Sequence, residues 1–426
     1  MHFSEDVFDA KFHLRREHVP LFFHEYMHLL QDRTTLHGAI DFLHLLNGIQ
    51  SAFKHASFYE RRVVIPMRDV LRDGRHPQDQ SECWLATTER VRKAISGQEQ
   101  WPIAMELTLV DREIQKTPIL DTRLPLAVTS VTLLMEDRLG DEHVHKLTAW
   151  EICEGCATAV EESLGGSPPA KFLAYQYHVI SAIFKVYYPA AEAWQIAEVC
   201  QWALQSPGPA AQLFSLLDGL KKKWPLVMPE ISKISEFCRA QLLADGFAQH
   251  KDWVDQELST AIAAQRGTGE DNPLSDVYRW YAETTVSHLR GISDAHYSGF
   301  PLFLMREALS RLRDGDSTDT ALALLFTQIP VPMIEQDGLP FFTVGSPPVE
   351  VDSVMLLRCI NTIVMHIWAG ESIEIECPLW KKCRLPCRSA DCQSRPWENL
   401  TSGQPPCAFG YAAAAFDLTT KEFALN

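Results

Sequence analysis

The stretch LFFHEYMHLLQDRTTLHG, residues 21–38, sets two histidines, His24 and His28, four positions apart in a dense apolar run. An α-helix brings residues i and i+4 onto one face. Two imidazoles so placed reach one metal ion, and Glu25 lies one position round, beside an open coordination site. Pro20 suits a first helical turn, so a buried helix is expected from Leu21 to about Asn47, with Gly38 as its point of interruption. The bland alternative is a helix whose two histidines merely pack against aromatic neighbours.

The rest of the chain is read outward from that helix. Its 426 residues are enough for several domains or one large helical body. With 46% hydrophobic and 22% charged residues, the composition is that of an ordinary folded protein. A net charge of -16 argues against a nucleic-acid-binding surface and against an anionic membrane surface. The N-terminus has no apolar signal segment, and no run reaches the roughly 18 apolar residues of a membrane span. Eleven cysteines without an export signal lead us to expect a cytoplasmic protein with reduced thiols.

Helical patterns dominate. A helix is expected around 82–96, then strands at AMELTLVDREI and PLAVTSVTLLMEDRL. The stretch HVHKLTAWEICEGCATAVEESLGG turns into a helix that should stop at Gly165-Gly166. Residues 168–264 read as helices broken at Pro189, at Ser206-Pro207-Gly208-Pro209 and at Pro225. RGTGEDNP is a loop, followed by helices near 275–290 and 300–314, a hairpin turning at Asp337-Gly338, and a buried helix at 352–369. The expected class is mainly α with a small β component, divided as 1–167, 168–265, 274–370 and a cysteine-rich tail, 371–426.

A catalytic zinc site needs a third protein ligand from another element. An extended pattern with a glycine and third histidine fails, because Gln31 and Thr34 occupy those places. His37, Asp41 and His44 lie on the same helix or its continuation. Farther along, Glu154-Gly155-Cys156-Ala157 lies in a predicted helix that follows a strand, with Glu151 one turn earlier as the second choice. Together with His24-Glu25-Tyr26-Met27-His28, this segment resembles the gluzincin metallopeptidases, whose E-G-x-A glutamate completes a His₂Glu site. Both segments also look like those of poorly characterised bacterial gluzincin-like proteins.

The resemblance implies Zn²⁺ on His24, His28 and Glu154, with Glu25 as general base. It implies a peptide or protein substrate and allows a regulatory protein partner. Small residues at Gly155 and Ala157 are expected to let their helix pack closely on the His24 helix. Tyr177 and His178 are the candidates for stabilising an oxyanion, with Tyr175 beside them. Asp32 is a candidate to orient an imidazole, or else a solvated acid. The class places an edge strand before the histidine helix; only about twenty residues precede this one. Either the strands at 103–136 take that role or the chain is an atypical or shortened form.

The tail carries Cys377, Cys383, Cys387, Cys392 and Cys407, spaced C-x5-C-x3-C-x4-C-x14-C. Clustering in a polar, proline-rich segment suggests a second Zn²⁺ or an iron–sulfur cluster on Cys377, Cys383, Cys392 and Cys407, with Cys387 spare. Disulfides and free thiols are the alternatives. Cys153 and Cys156 form a C-x-x-C, but in mid-helix they read as buried small residues. Three functions compete: a zinc metallopeptidase, a zincin-like scaffold without activity, and a helical interaction protein with metal only in the tail.

Overall fold

The computed structural model describes residues 2–3, 7–9, 13–72, 107–117, 128–137, 139–166, 174–265, 282–283, 285–292, 302–314, 317–328, 334–336, 339–341, 351–380, 383, 390–396, 407–418 and 421–426. The helix expected at 82–96, the loop at 266–273, the start of the helix expected at 275–290, Asp337-Gly338 and Cys387 lie outside these residues.

The chain is mainly helical. Helix α1 (Val19–Thr34) is followed at once by α2 (Leu36–Phe58), then β2 (Arg62–Ile65) and α3 (Met67–Arg72). Strands β3 (Thr108–Thr117), β4 (Val128–Glu136) and β5 (Glu142–Leu147) lead into α4 (Ala149–Ser163). Five helices follow: α5 (Ala174–Tyr187), α6 (Ala193–Ala203), α7 (Pro209–Lys223), α8 (Ile231–Ala244) and α9 (Phe247–Gln265). After α10 (Leu302–Arg313) and α11 (Thr318–Gln328), the short strands β6 (Ile334–Gln336) and β7 (Leu339–Phe341) pair, with β1 (His2–Phe3) parallel to β6. Helix α12 (Val351–Ala369), α13 (Ala408–Ala415) and β8 (Glu422–Leu425) complete the order, and β8 pairs in parallel with β2.

The long first helix is two helices, and the break is at Thr35, not Gly38. Thr35 is extended, and its Oγ1 accepts Gly38 N–H at 3.0 Å, capping α2. A break in a buried region strands backbone groups, and the end of α6 satisfies them. Gln205 Oε1 accepts Leu36 N–H at 3.0 Å, and its Nε2 donates to Thr34 O at 2.9 Å. Gln201 Nε2 donates to Thr34 Oγ1 at 3.1 Å. Gly38 serves a different purpose: a Cβ there would lie 2.4 Å from Asp32 O, so only glycine lets α2 fold back against the last turn of α1.

On α1 the apolar stripe Phe22, Phe23, Tyr26, Met27 and Leu30 is buried, as helical spacing requires. Helix α4 is the hub, packing against α1, α5, α6 and α7. Its start is fixed by a capping box between Thr148 and Glu151. The antiparallel sheet β3–β4–β5 runs directly into that cap, with Val131, Leu133, Met135 and Leu147 turned into the core and Val110, Ile114 and Val144 outward. One buried cluster runs from Val7 to Phe423 and joins all the segments expected as separate regions. The breaks expected at Pro189, 206–209 and Pro225 are present; a further one at Gly246, with φ +91°, separates α8 from α9. No helix among the described residues is long and apolar enough to cross a membrane.

Candidate metal centre

Helices α1 and α4 pack side by side in opposite directions. Gln31 Nε2 donates to Cys153 O at 3.1 Å at one end, and Gly166, just beyond α4, closes on Pro20 at the other. The facing residues between these ends are His24 and His28 on α1, and Glu154 and Glu161 on α4.

His24 Nε2, His28 Nε2 and Glu154 Oε2 converge. The separations are 3.2 Å between the two nitrogens, 3.5 Å from His24 to Glu154, and 3.6 Å from His28 to Glu154. A tetrahedral zinc ion with bonds of about 2.0–2.1 Å needs ligand–ligand edges of about 3.3–3.4 Å. The three observed edges fall around that value. Among the described residues this is the one group of three or more His, Cys, Asp or Glu ligand atoms within 4.8 Å of one another.

Each outward nitrogen faces a polar side chain. His28 Nδ1 lies 3.0 Å from Gln31 Oε1. Because Gln31 uses its amide N–H on Cys153 O, its oxygen is the acceptor, and His28 carries its proton on Nδ1 with Nε2 free for a metal. His24 Nδ1 lies 3.0 Å from Glu161 Oε2 but off the direction of a hydrogen bond, so this buried nitrogen lacks a proper partner. A small ring rotation would complete a carboxylate–histidine–metal arrangement.

The electrostatics favour a cation here. Burial works against a charged His24, yet the adjacent carboxylates of Glu154 and Glu161 raise it to about 9. Burial likewise opposes ionisation of Glu154, but hydrogen bonds from His24 and His28 bring it down to about 2. Two carboxylates thus hold positive charge at the point where the ligand atoms meet.

Of the residues singled out from sequence, His24, His28 and Glu154 are brought together. Glu25 is half-buried, and helical geometry sets it about 60° round α1 from His28. Glu151 is not a ligand, because its carboxylate is spent on its own helix. It accepts Thr148 N–H at 2.8 Å and faces His145 at 3.6 Å; burial raises its pKa, but these partners hold it below the ordinary value. The outward nitrogens of the two imidazoles face Glu161 and Gln31, where Asp32 was the candidate. Crowding by protein, then Asp41, raises Asp32 to about 6, although retained solvent contact weakens the first effect. The side chains of Tyr175 and Tyr177 lie outside the described residues. His178 is exposed on α5, and its charge acts on Glu162.

Gly155 was expected to face the histidine helix, but it faces α5. A Cβ there would stand 2.4 Å from Ile180 Cγ1. Sequence reasoning missed Glu161 and Gln31. The signal for Glu161 was its seven-residue spacing from Glu154, which keeps both on one helix face; that for Gln31 was its place one turn after His28. No family model matches the chain, and no curated protein or solved structure is significantly similar to it.

Proposed function

We propose that the chain is a zinc-dependent hydrolase of peptide bonds, of the gluzincin type that its two motifs resemble. The observation that carries this reading is the convergence of His24 Nε2, His28 Nε2 and Glu154 Oε2 at near-tetrahedral edges. When bound, zinc supplies Lewis-acid polarisation of a carbonyl and acidifies water. The chain's own residues do the rest. His24, His28 and Glu154 hold the ion, and Gln31 and Glu161 fix the imidazole orientations. Glu25 takes a proton on its carboxylate and delivers it to the departing amine.

The test pairs Glu25→Gln with the wild type on a peptide library, with zinc content measured in both. Zinc retained with hydrolysis lost is the expected result; hydrolysis by the variant overturns the assignment of Glu25.

A second reading is a zincin-like scaffold that holds zinc without cleaving anything. It is the reading suggested by the described strand before α1, β1 (His2–Phe3), whose recorded partner is β6. A zinc-loaded wild type that cleaves no member of the library selects this reading.

A further inference from the structure

The connection between α7 and α8 carries an apolar tip beside a cluster of cations. Helix α7 ends in Lys221, Lys222 and Lys223, and Trp224-Pro225-Leu226-Val227-Met228-Pro229 leads on toward α8. Leu226 is 88% exposed and Val227 71%, and Leu226 is the most exposed large apolar side chain among the described residues. Met228, which follows them, is buried. One exposed leucine is ordinary on a protein surface. Two apolar residues side by side, next to a tryptophan and three lysines, form a patch.

The tip is held firmly from behind. Trp224 N–H donates to Leu220 O at 2.7 Å, and the Trp224 carbonyl accepts the Tyr188 hydroxyl at 3.0 Å. Gln195 Nε2 donates to Pro229 O at 2.9 Å and to Met228 O at 3.4 Å. The rings of Trp224 and Phe237 meet edge-on at 5.9 Å, and Lys223 Nζ lies 4.5 Å and 5.6 Å from their centres. Lys221 Nζ donates to Tyr187 O at 2.6 Å, beside the Tyr188 ring. Pro225 and Pro229 fix φ on both sides of the tip. A loop so anchored loses little freedom on binding.

The local charge is opposite to that of the whole. The chain carries -16, but screening limits the reach of an exposed charge to about 8 Å at physiological ionic strength. Between residues 219 and 235 four lysines stand against one acid, Glu230, which pairs with Lys233 at 3.1 Å. The flanking acids are Asp218, held by Arg112 at 2.5 Å, and Glu236. The last turn of α5, which Lys221 touches at Tyr187, adds exposed Lys185 and Val186.

We propose that this tip docks the protein on an anionic bilayer surface. Leu226 and Val227 enter the boundary of the acyl chains, Trp224 lies among the headgroups, and Lys222 and Lys223 meet lipid phosphate and carboxylate groups. The order along the chain, apolar, then aromatic, then cationic, is the order of layers met on leaving a bilayer. An acidic protein would match the lysines but would need a pocket for a tip that projects this far. A two-residue tip alone holds weakly, and the lysines supply the second attraction that peripheral binding requires. Docking of this kind needs no spanning helix and is independent of the metal centre.

Full-length protein is sedimented with phosphatidylcholine vesicles, with and without phosphatidylserine as about one lipid in three. Wild type should bind only the anionic vesicles, and more weakly as salt rises. Lys222→Gln/Lys223→Gln should weaken binding about 30-fold, about fivefold for each lysine. Leu226→Glu/Val227→Glu should weaken it by at least about tenfold. Leu139→Glu, at another exposed apolar residue, on the β4–β5 turn, should bind like wild type. All the replaced side chains are exposed, and circular dichroism checks the fold of each variant. Polyglutamate beads, offered in parallel, test an acidic protein as the occupant. The proposal is overturned if wild type ignores anionic vesicles, binds neutral ones equally, or binds polyglutamate and not vesicles. It is overturned equally if vesicle binding survives either double variant, or if Leu139→Glu weakens it as much as the tip variant does.

Discussion

Replacing Glu161 tests whether the α1–α4 pair is built around a metal. Its Oε2 stands 3.0 Å from His24 Nδ1, with the two side chains only 12% and 9% exposed, so little water screens the contact. Partners that orient a ligating histidine change metal affinity by about 10–100-fold, or about 1.4–2.7 kcal/mol. Glu161→Gln keeps the size and an acceptor oxygen but removes the charge, so its zinc affinity should fall by about 10-fold. Glu161→Ala removes both and should approach 100-fold. Glu162→Gln, one position round the helix and under the influence of His178, should leave affinity unchanged. Affinity is read by competition with a chromophoric chelator at one pH, with circular dichroism to check the fold. Wild-type affinity in both Glu161 variants would refute the reasoning, because the contact would then be an incidental ion pair. Wild-type affinity in His24→Ala would refute the site itself.

Three further outcomes follow from the packing around the site. Gly155→Ala should destabilise by about 1–3 kcal/mol in urea unfolding, since its Cβ would meet Ile180 Cγ1 at 2.4 Å; unchanged stability would mean α4 and α5 can part freely. Gln205→Leu should cost at least about 1–3 kcal/mol for each stranded group, because Leu36 N–H and Thr34 O lose their buried partner together. Glu198 is buried with its pKa raised by burial, against hydrogen bonds from Ser235 and Trp202. A carboxyl raised in the folded state stabilises below its unfolded value and loses that stability as pH rises. Glu198→Gln should therefore melt higher than wild type at pH 8 and show no such gain at pH 4, and a lower melting point at pH 8 would count against this sign.

Much of this was legible in the sequence, for reasons that differ by residue. His24, His28 and Glu154 were readable because ligand chemistry restricts residue type and helices restrict spacing. The strands β3 and β4 and the breaks near Pro189, Ser206 and Pro225 were readable from local turn and β-branched content. The break at Thr35 was not, because its cause is a glutamine 170 positions later. A glycine offers backbone freedom as the local signal, yet Gly38 is required for close approach rather than for a turn. Gly155 was read correctly as a contact residue and assigned to the wrong neighbour, since a small residue shows that something is near without showing what.

The spacing along α4 bears most directly on the alternative in which the histidines are incidental. Seven residues of helix advance about 10 Å and return to nearly the same face. Glu154 therefore meets the inner nitrogen of His24 while Glu161 meets the outer one, and a single imidazole spans the gap between the two carboxylates. Moving either acid by one residue would swing it about 100° round the helix and out of reach. Histidines that merely packed against aromatics would need neither acid, and buried carboxylates are costly unless something positive offsets them. The α1–α4 face instead holds two of them, largely shielded from water, against two imidazoles, with Gln31 holding the second ring. That arrangement is costly for a plain core and well suited to a divalent cation, and the Glu161 variants test it without removing a candidate ligand.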